Sequence, residues 1–208
     1  MTVPDGSRPG LRPVWQRAAL LIAGFVALLY AIEAVDAAAP AELDTAGIEP
    51  RSADGLWGVL FAPVLHADWA HLSANTIPLL VLGFLVLVSG IGRGLAATAI
   101  IWVVGGLGTW LTAGAGFVHI GASILVFGWL TYLITRGIFT RQANQIVIGV
   151  IVLFVYGSIL WGVLPSDPRV SWQGHLFGAV GGVLAAWLLS ADERRRRRSP
   201  AVPSSPFG

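Results

Sequence analysis

The chain has 208 residues, 55% of them hydrophobic and 12% charged, with a mean hydropathy of +0.75. Soluble domains carry about 25% charged residues, so this composition excludes an ordinary soluble protein and predicts one embedded in a bilayer. The chain contains no cysteine, which excludes a disulfide framework, a metal–thiolate site and a thiol nucleophile. The net charge of +2 and pI of about 9.7 come mostly from Arg194 to Arg198 and from arginines near span borders, not from a surface for nucleic acid.

In chain order, residues 1–16 are rich in Pro, Gly and Arg and predict a disordered tail. Apolar length and charged borders then predict six spans. They lie near residues 17–36, 71–89, 95–112, 121–135, 145–164 and 172–190, the fourth being short. A long acidic, Pro-containing connector joins the first two, and its stretch from Trp57 to Val64 is apolar enough to lie partly in the outer leaflet. Residues 191–208 form a basic, then Pro/Ser-rich tail. The expected organisation is an N-terminal tail over 1–16, a membrane domain over 17–190 and a C-terminal tail.

Arginine placement tests the count. Arg8, Arg12, Arg17, Arg93, Arg136, Arg141 and the terminal run all fall on one side of a six-span arrangement, with Arg51 and Arg169 on the other. The positive-inside rule then puts both termini in the cytoplasm. The first span also resembles a signal peptide with a cleavage site at Ala34-Val35-Asp36-Ala37. Glu33 and Asp36 fit a cleavage region poorly, and Trp15 suits an interfacial anchor, so retention is expected. The other tryptophans, Trp57, Trp69, Trp102, Trp110, Trp129, Trp161, Trp172 and Trp187, read mostly as interfacial or lipid-facing. Gly174, Gly178 and Gly182 make a smooth ridge on the sixth span. Gly121, Ser123 and Gly128 give the fourth small residues too, so these two helices are expected to touch.

The polar groups converge in depth. In a helix His71 and Asn75 share a face, Asp68 caps its start, and His66 lies before it. At about 1.5 Å rise per residue, Ser123 stands roughly 20 Å above the cytoplasmic border, His175 roughly 26 Å and His71 roughly 28 Å. All three fall in the outer half of a core about 30 Å thick. A hydroxyl nucleophile needs a base and donors for the developing oxyanion. Ser123 can serve as nucleophile, His175 as base, and His71 and Asn75 as oxyanion donors. Backbone N–H groups at the start of the fourth helix would add to them. No carboxylate is placed at that depth, so the expected array is a Ser–His dyad. Gly114-Ala115-Gly116 suggests a loop at which water enters. His119 reads as an interfacial loop residue.

The ordered set His66-x4-His71-x3-Asn75, Gly121-x-Ser123 and His175-x2-Gly178-x3-Gly182 resembles the rhomboid family of intramembrane serine proteases, over residues 55–190. The resemblance implies an all-α membrane protein, a six-transmembrane-helix bundle with a long connector between helices 1 and 2. It implies a serine endopeptidase that cleaves membrane-spanning protein substrates within the lipid bilayer. Ser123 then matches the nucleophile and His175 the general base. His71, Asn75 and the Ser123 N–H match the oxyanion positions, and His66 matches a histidine that shapes the connector. No metal or organic cofactor and no nucleic acid is implied. A bacterial plasma membrane is the expected location.

Two residues depart from the family pattern. Ile124 stands where Gly usually follows the serine and is expected to crowd a substrate or restrict the turn. Phe127 stands where Tyr often packs under the base. Two alternatives remain open: a catalytically inactive rhomboid-like scaffold that binds membrane clients, favoured by Ile124, and a small transporter, disfavoured by the missing internal repeat.

Overall fold

The computed structural model describes residues 12–38, 43–167 and 170–191. The expected tails lie outside these ranges, apart from residues 12–16 and Ala191. The helices are α1 Val14–Ala38, α2 Gly55–Phe61, α3 Trp69–Val88, α4 Ile91–Thr112, α5 Ser123–Thr140, α6 Ala143–Tyr156 and α7 Trp172–Leu189. Six are long and apolar enough to cross a membrane, counting α6 with its 3-10 continuation Gly157–Val163 as one span. The chain is therefore an integral, multi-pass membrane protein. The connector between α1 and α3 carries α2 and two 3-10 turns, Leu43–Ala46 and Ala62–Val64.

α5 is the central element. It is the most buried span and packs against α3, α4, α6 and α7. Its closest partner is α7, as the small-residue ridges predict. A Cβ at Gly178 would run into the Ile124 carbonyl, and one at Gly182 into the Gly128 carbonyl. Lipid tails are as apolar as the helices, so close packing and interhelical hydrogen bonds hold such a bundle. One such bond runs from Thr131 Oγ1 to the Ala179 carbonyl, at 2.7 Å. α1 packs on α3. There Ile22 lies over Gly83, and the Tyr30 and Thr76 hydroxyls meet at 3.1 Å.

The connector is fastened to the end of α4. Trp102 Nε1 donates to the Val59 carbonyl and Trp110 Nε1 to the Ser52 carbonyl, both at 2.8 Å. Arg51 Nη1 donates to the Ala113 carbonyl at 2.6 Å, satisfying one of the orphan carbonyls at that helix end. Ile48 forms an antiparallel bridge with His119, each N–H donating to the other's carbonyl at 2.9 Å. The connector thus reaches the loop that precedes α5.

Two sequence expectations are corrected. The fourth span is not short: it runs 18 residues to Thr140. Arg136 lies inside it rather than at its border, and is buried. Its guanidinium donates to the Tyr132 hydroxyl at 3.0 Å and to Ser89 Oγ at 3.2 Å. The tryptophans also divide. Trp57, Trp69, Trp161 and Trp187 are exposed, but Trp129 is buried and donates to Thr98 Oγ1 at 3.0 Å. A buried indole needs a partner for its N–H, which here makes Trp129 a link between α4 and α5.

Candidate functional site

The polar groups singled out in the sequence lie at helix starts. Ser123 is the first residue of α5, His175 the fourth of α7, and His71 the third of α3. Asp68 caps α3 as expected, its carboxylate accepting the His71 N–H at 2.7 Å. Ser171 caps α7, its Oγ accepting the Gly174 N–H at 3.4 Å. No side chain caps α5. Ser123 N–H therefore opens a helix with no carbonyl one turn back to bond.

Ser123 and His175 meet. Ser123 Oγ and His175 Nε2 are 3.0 Å apart, and His175 Nδ1 is 2.8 Å from the Gly162 carbonyl. A carbonyl only accepts, so Nδ1 carries the ring proton. Nε2 then presents its lone pair, and Ser123 O–H donates to it. Phe127, one turn along α5, stacks under the imidazole with ring centroids 4.0 Å apart and an interplanar angle of 10°. A hydroxyl held this way can pass its proton to the ring as its oxygen attacks a carbonyl carbon.

His71 lies on the same side. A Cβ at Gly121 would stand 2.9 Å from His71 Nε2 and 3.7 Å from Ser123 Oγ. Gly121 has φ +118°, a conformation that glycine adopts freely, and its bareness lets the His71 ring approach. The His71 imidazole makes no hydrogen bond among the described residues, leaving it open to a bound molecule. Asn75 is buried, and its Nδ2 donates to the His71 carbonyl at 3.1 Å.

His66 lies before α3, as expected. Its Nε2 accepts the Ala122 N–H at 3.4 Å, while Gly121 N–H donates to the Ala62 carbonyl at 2.8 Å. Together these bonds fix the turn into Ser123 against the connector. Burial, with the His71 ring alongside, pushes the His66 imidazole down to about 4. His66 is therefore neutral at pH 7.

His119 is more than an interfacial residue. Its Nδ1 shares a 2.9 Å hydrogen bond with Ser171 Oγ, tying the loop before α5 to the cap of α7. Burial pushes this imidazole down as well. Neither this bond nor that from His175 to Gly162 was visible in the motif spacing. They join residues 13 and 52 positions apart. An apolar cleft of about 480 Å³ between α5 and α7, lined by Thr131, Phe139, Leu176 and Trp187 among others, includes none of these groups.

A Rhomboid domain model matches residues 53–192. The chain belongs to the rhomboid family. It is 56% identical over 194 residues to an uncharacterized protein of Mycobacterium tuberculosis, covering 89% of this chain and 81% of that one. It is 48% identical over 212 residues to an uncharacterized protein of Mycobacterium leprae, covering 95% and 84%. A Bacillus subtilis protein named "Putative rhomboid protease YdcA" is 29% identical over 150 residues, covering 69% and 73%. No solved structure matches the chain.

Within the rhomboid frame, the structure corrects one expectation. Ile124 does not face the Ser123–His175 pair. Its side chain is buried, and lies where Cβ atoms at Gly105 of α4 and Gly174 of α7 would stand, the latter 3.1 Å from Cγ1. The physical reason is the helix itself, which turns successive side chains by about 100°. As Ser123 faces the imidazole, Ile124 faces the α4–α7 notch. The crowding that favoured an inactive scaffold does not arise from this side chain.

Proposed function

We propose that this rhomboid family member is an intramembrane serine endopeptidase that cleaves transmembrane segments of membrane proteins. The observation that carries this reading is the hydrogen bond from Ser123 to a His175 ring whose other nitrogen is already engaged. Ser123 Oγ adds to the scissile carbonyl carbon as its proton passes to His175 Nε2. The carbonyl oxygen takes the negative charge and faces His71, Asn75 and the Ser123 N–H. His175 returns the proton to the leaving amine, the C–N bond breaks, and an acyl-enzyme remains. Water activated by the same ring then hydrolyses the ester and regenerates Ser123. No metal or organic cofactor takes part.

Supporting roles follow from packing. His66 and Gly121 shape the turn that presents Ser123, Phe127 underlies the base, and Gly178 lets α7 approach α5. Substrates are membrane-spanning helices that unwind locally near the outer face, because an intact helix hides its carbonyls. Leu in place of helix-destabilising residues at that end slows turnover. The setting is a bacterial plasma membrane, with both termini cytoplasmic.

The test is labelling by a fluorophosphonate, with cleavage of a transmembrane reporter in parallel. Wild type is labelled and cleaves; Ser123→Ala and His175→Ala do neither while keeping the wild-type melting temperature within a few degrees. A folded wild type that is neither labelled nor active overturns the reading. Client capture that persists in Ser123→Ala, with no product from wild type, marks a scaffold instead.

A further inference from the structure

The expected dyad has a third partner, and it comes from the main chain. Among the described residues no carboxylate is hydrogen-bonded to His175. Its Nδ1–H donates instead to the Gly162 carbonyl at 2.8 Å. Gly162 belongs to the 3-10 segment Gly157–Val163 that continues α6.

The local sequence explains why this carbonyl is free. In a 3-10 helix the acceptor of residue 162 would be bonded by the N–H of residue 165, but residue 165 is proline and has none. The next N–H, that of Ser166, turns to the Leu164 carbonyl at 2.8 Å. Gly162 is therefore left with an orphan acceptor at the end of its helix, directed at the imidazole. The residue type matters as much. A Cβ at position 162 would stand 2.8 Å from Phe127 Cζ and 3.2 Å from His175 Nδ1, so only glycine lets the backbone approach this closely.

We propose that the Gly162 carbonyl is the positioning group that sets the tautomer and rotamer of His175, so that seating of the α6 segment is a condition for the chemistry. The proposal rests on the serine endopeptidase reading. The carrier is the least buried span, with 11% of it covered, and α6 itself packs chiefly on α5. Phe154 and Trp161 on it are 91% and 73% exposed. A displacement of this segment takes the acceptor from Nδ1. The ring is then free to move its proton to Nε2, where it no longer accepts from Ser123. The Ser123–His175 pair is competent only while the α6 segment is docked.

The experiment reads the tautomer directly and the rates separately. Full-length protein with 15N-labelled histidine, assigned by single His→Gln variants, is measured in nanodiscs at neutral pH. The expected result is a His175 ring with a protonated Nδ1 and an unprotonated Nε2. Gly162→Ala and Pro165→Ala are then compared with wild type. The first drives the backbone from the ring. The second restores an N–H that competes for the carbonyl without adding bulk at the site. Each is expected to lower kcat at least tenfold with KM within twofold, and to raise the fraction of Nε2–H tautomer. An Nε2–H ring in folded wild type overturns the proposal, whatever the activity. So does wild-type kcat in whichever of the two variants folds. If wild type proves inactive and unlabelled, the spectrum still reports the Gly162 contact, so failure of the protease reading is told apart from failure of this one.

Discussion

Ile124 of α5 occupies the space that a side chain at Gly105 of α4 would need. The two positions exchange volume: a branched side chain on one helix sits in the gap left by a glycine on the next. The same side chain lies against Gly174 of α7, so one residue keys three helices together within a residue of Ser123. The bulk that looks intrusive in the sequence is used for packing.

The exchange is testable as a cycle. Gly105→Ala and Ile124→Ala should each destabilise the folded protein, the second by about 2–4 kcal/mol through the cavity it leaves. The double variant should be more stable than the sum of the two losses predicts, by at least about 0.5 kcal/mol. Thermal or denaturant unfolding in micelles measures all four corners. Strict additivity would show that the two side-chain positions do not share space.

Acid should weaken the fold through His66. Its native pKa of about 4 lies below the ordinary 6.5, so the unfolded chain takes up the proton first as the pH falls. The stabilisation is complete above about pH 6.5, declines below it and is gone near pH 4, amounting to at most about 3 kcal/mol. His119, pushed down by burial too, acts in the same direction. Melting curves from pH 7.5 to 4.5 should show a steeper fall for wild type than for His66→Gln. Parallel curves would mean that another group governs the acid limb.

The link between His119 and Ser171 should matter for stability and rate together. Ser171→Ala removes the cap of α7, at a cost of about 1 kcal/mol, and releases His119. His119→Ala releases the same bond but keeps the cap. Both should lower reporter cleavage several-fold. His119→Asn, which retains a short polar group, should recover part of that loss. Equal activity of His119→Ala and wild type would reduce the link to a packing detail.

Phe127 offers a finer probe of the His175 ring. The stacked pair is worth about 0.5–1.5 kcal/mol beyond area. Phe127→Leu should accordingly lower kcat by roughly two- to tenfold, with little change in KM. Phe127→Tyr preserves the ring and should stay within about twofold of wild type if its added hydroxyl finds room. Steady-state cleavage of a transmembrane reporter separates the two parameters.

What the sequence revealed follows from what periodicity and length can carry. Six long apolar runs predicted six spans, and the boundaries of Trp69–Val88 and Trp172–Leu189 agree within two residues. The end of α5 was misplaced because Arg136 reads as a border, whereas its stem is buried and its donors reach Tyr132 and Ser89. Asp68 was legible as a cap because capping is local. Ser123 and His175 could be placed at one depth by counting rise, but counting says nothing of rotation about each helix. That rotation turns Ser123 to the imidazole and Ile124 away. The acceptor for Nδ1 is hard to read from the sequence because a main-chain carbonyl has no letter of its own; its traces are Gly162 and Pro165.

The fastening of the connector to α4 and to the loop before α5 has a consequence for amide exchange. Ile48, Arg51, His119 and Gly121 lie outside every long helix, yet each N–H is bonded to a carbonyl distant in sequence. Backbone order here is not a matter of secondary structure. In deuterium, these four amides should form an island of slow exchange between the long helices, persisting as long as the bundle does. A map of protection along the chain would then show a peak where a helix plot shows a gap.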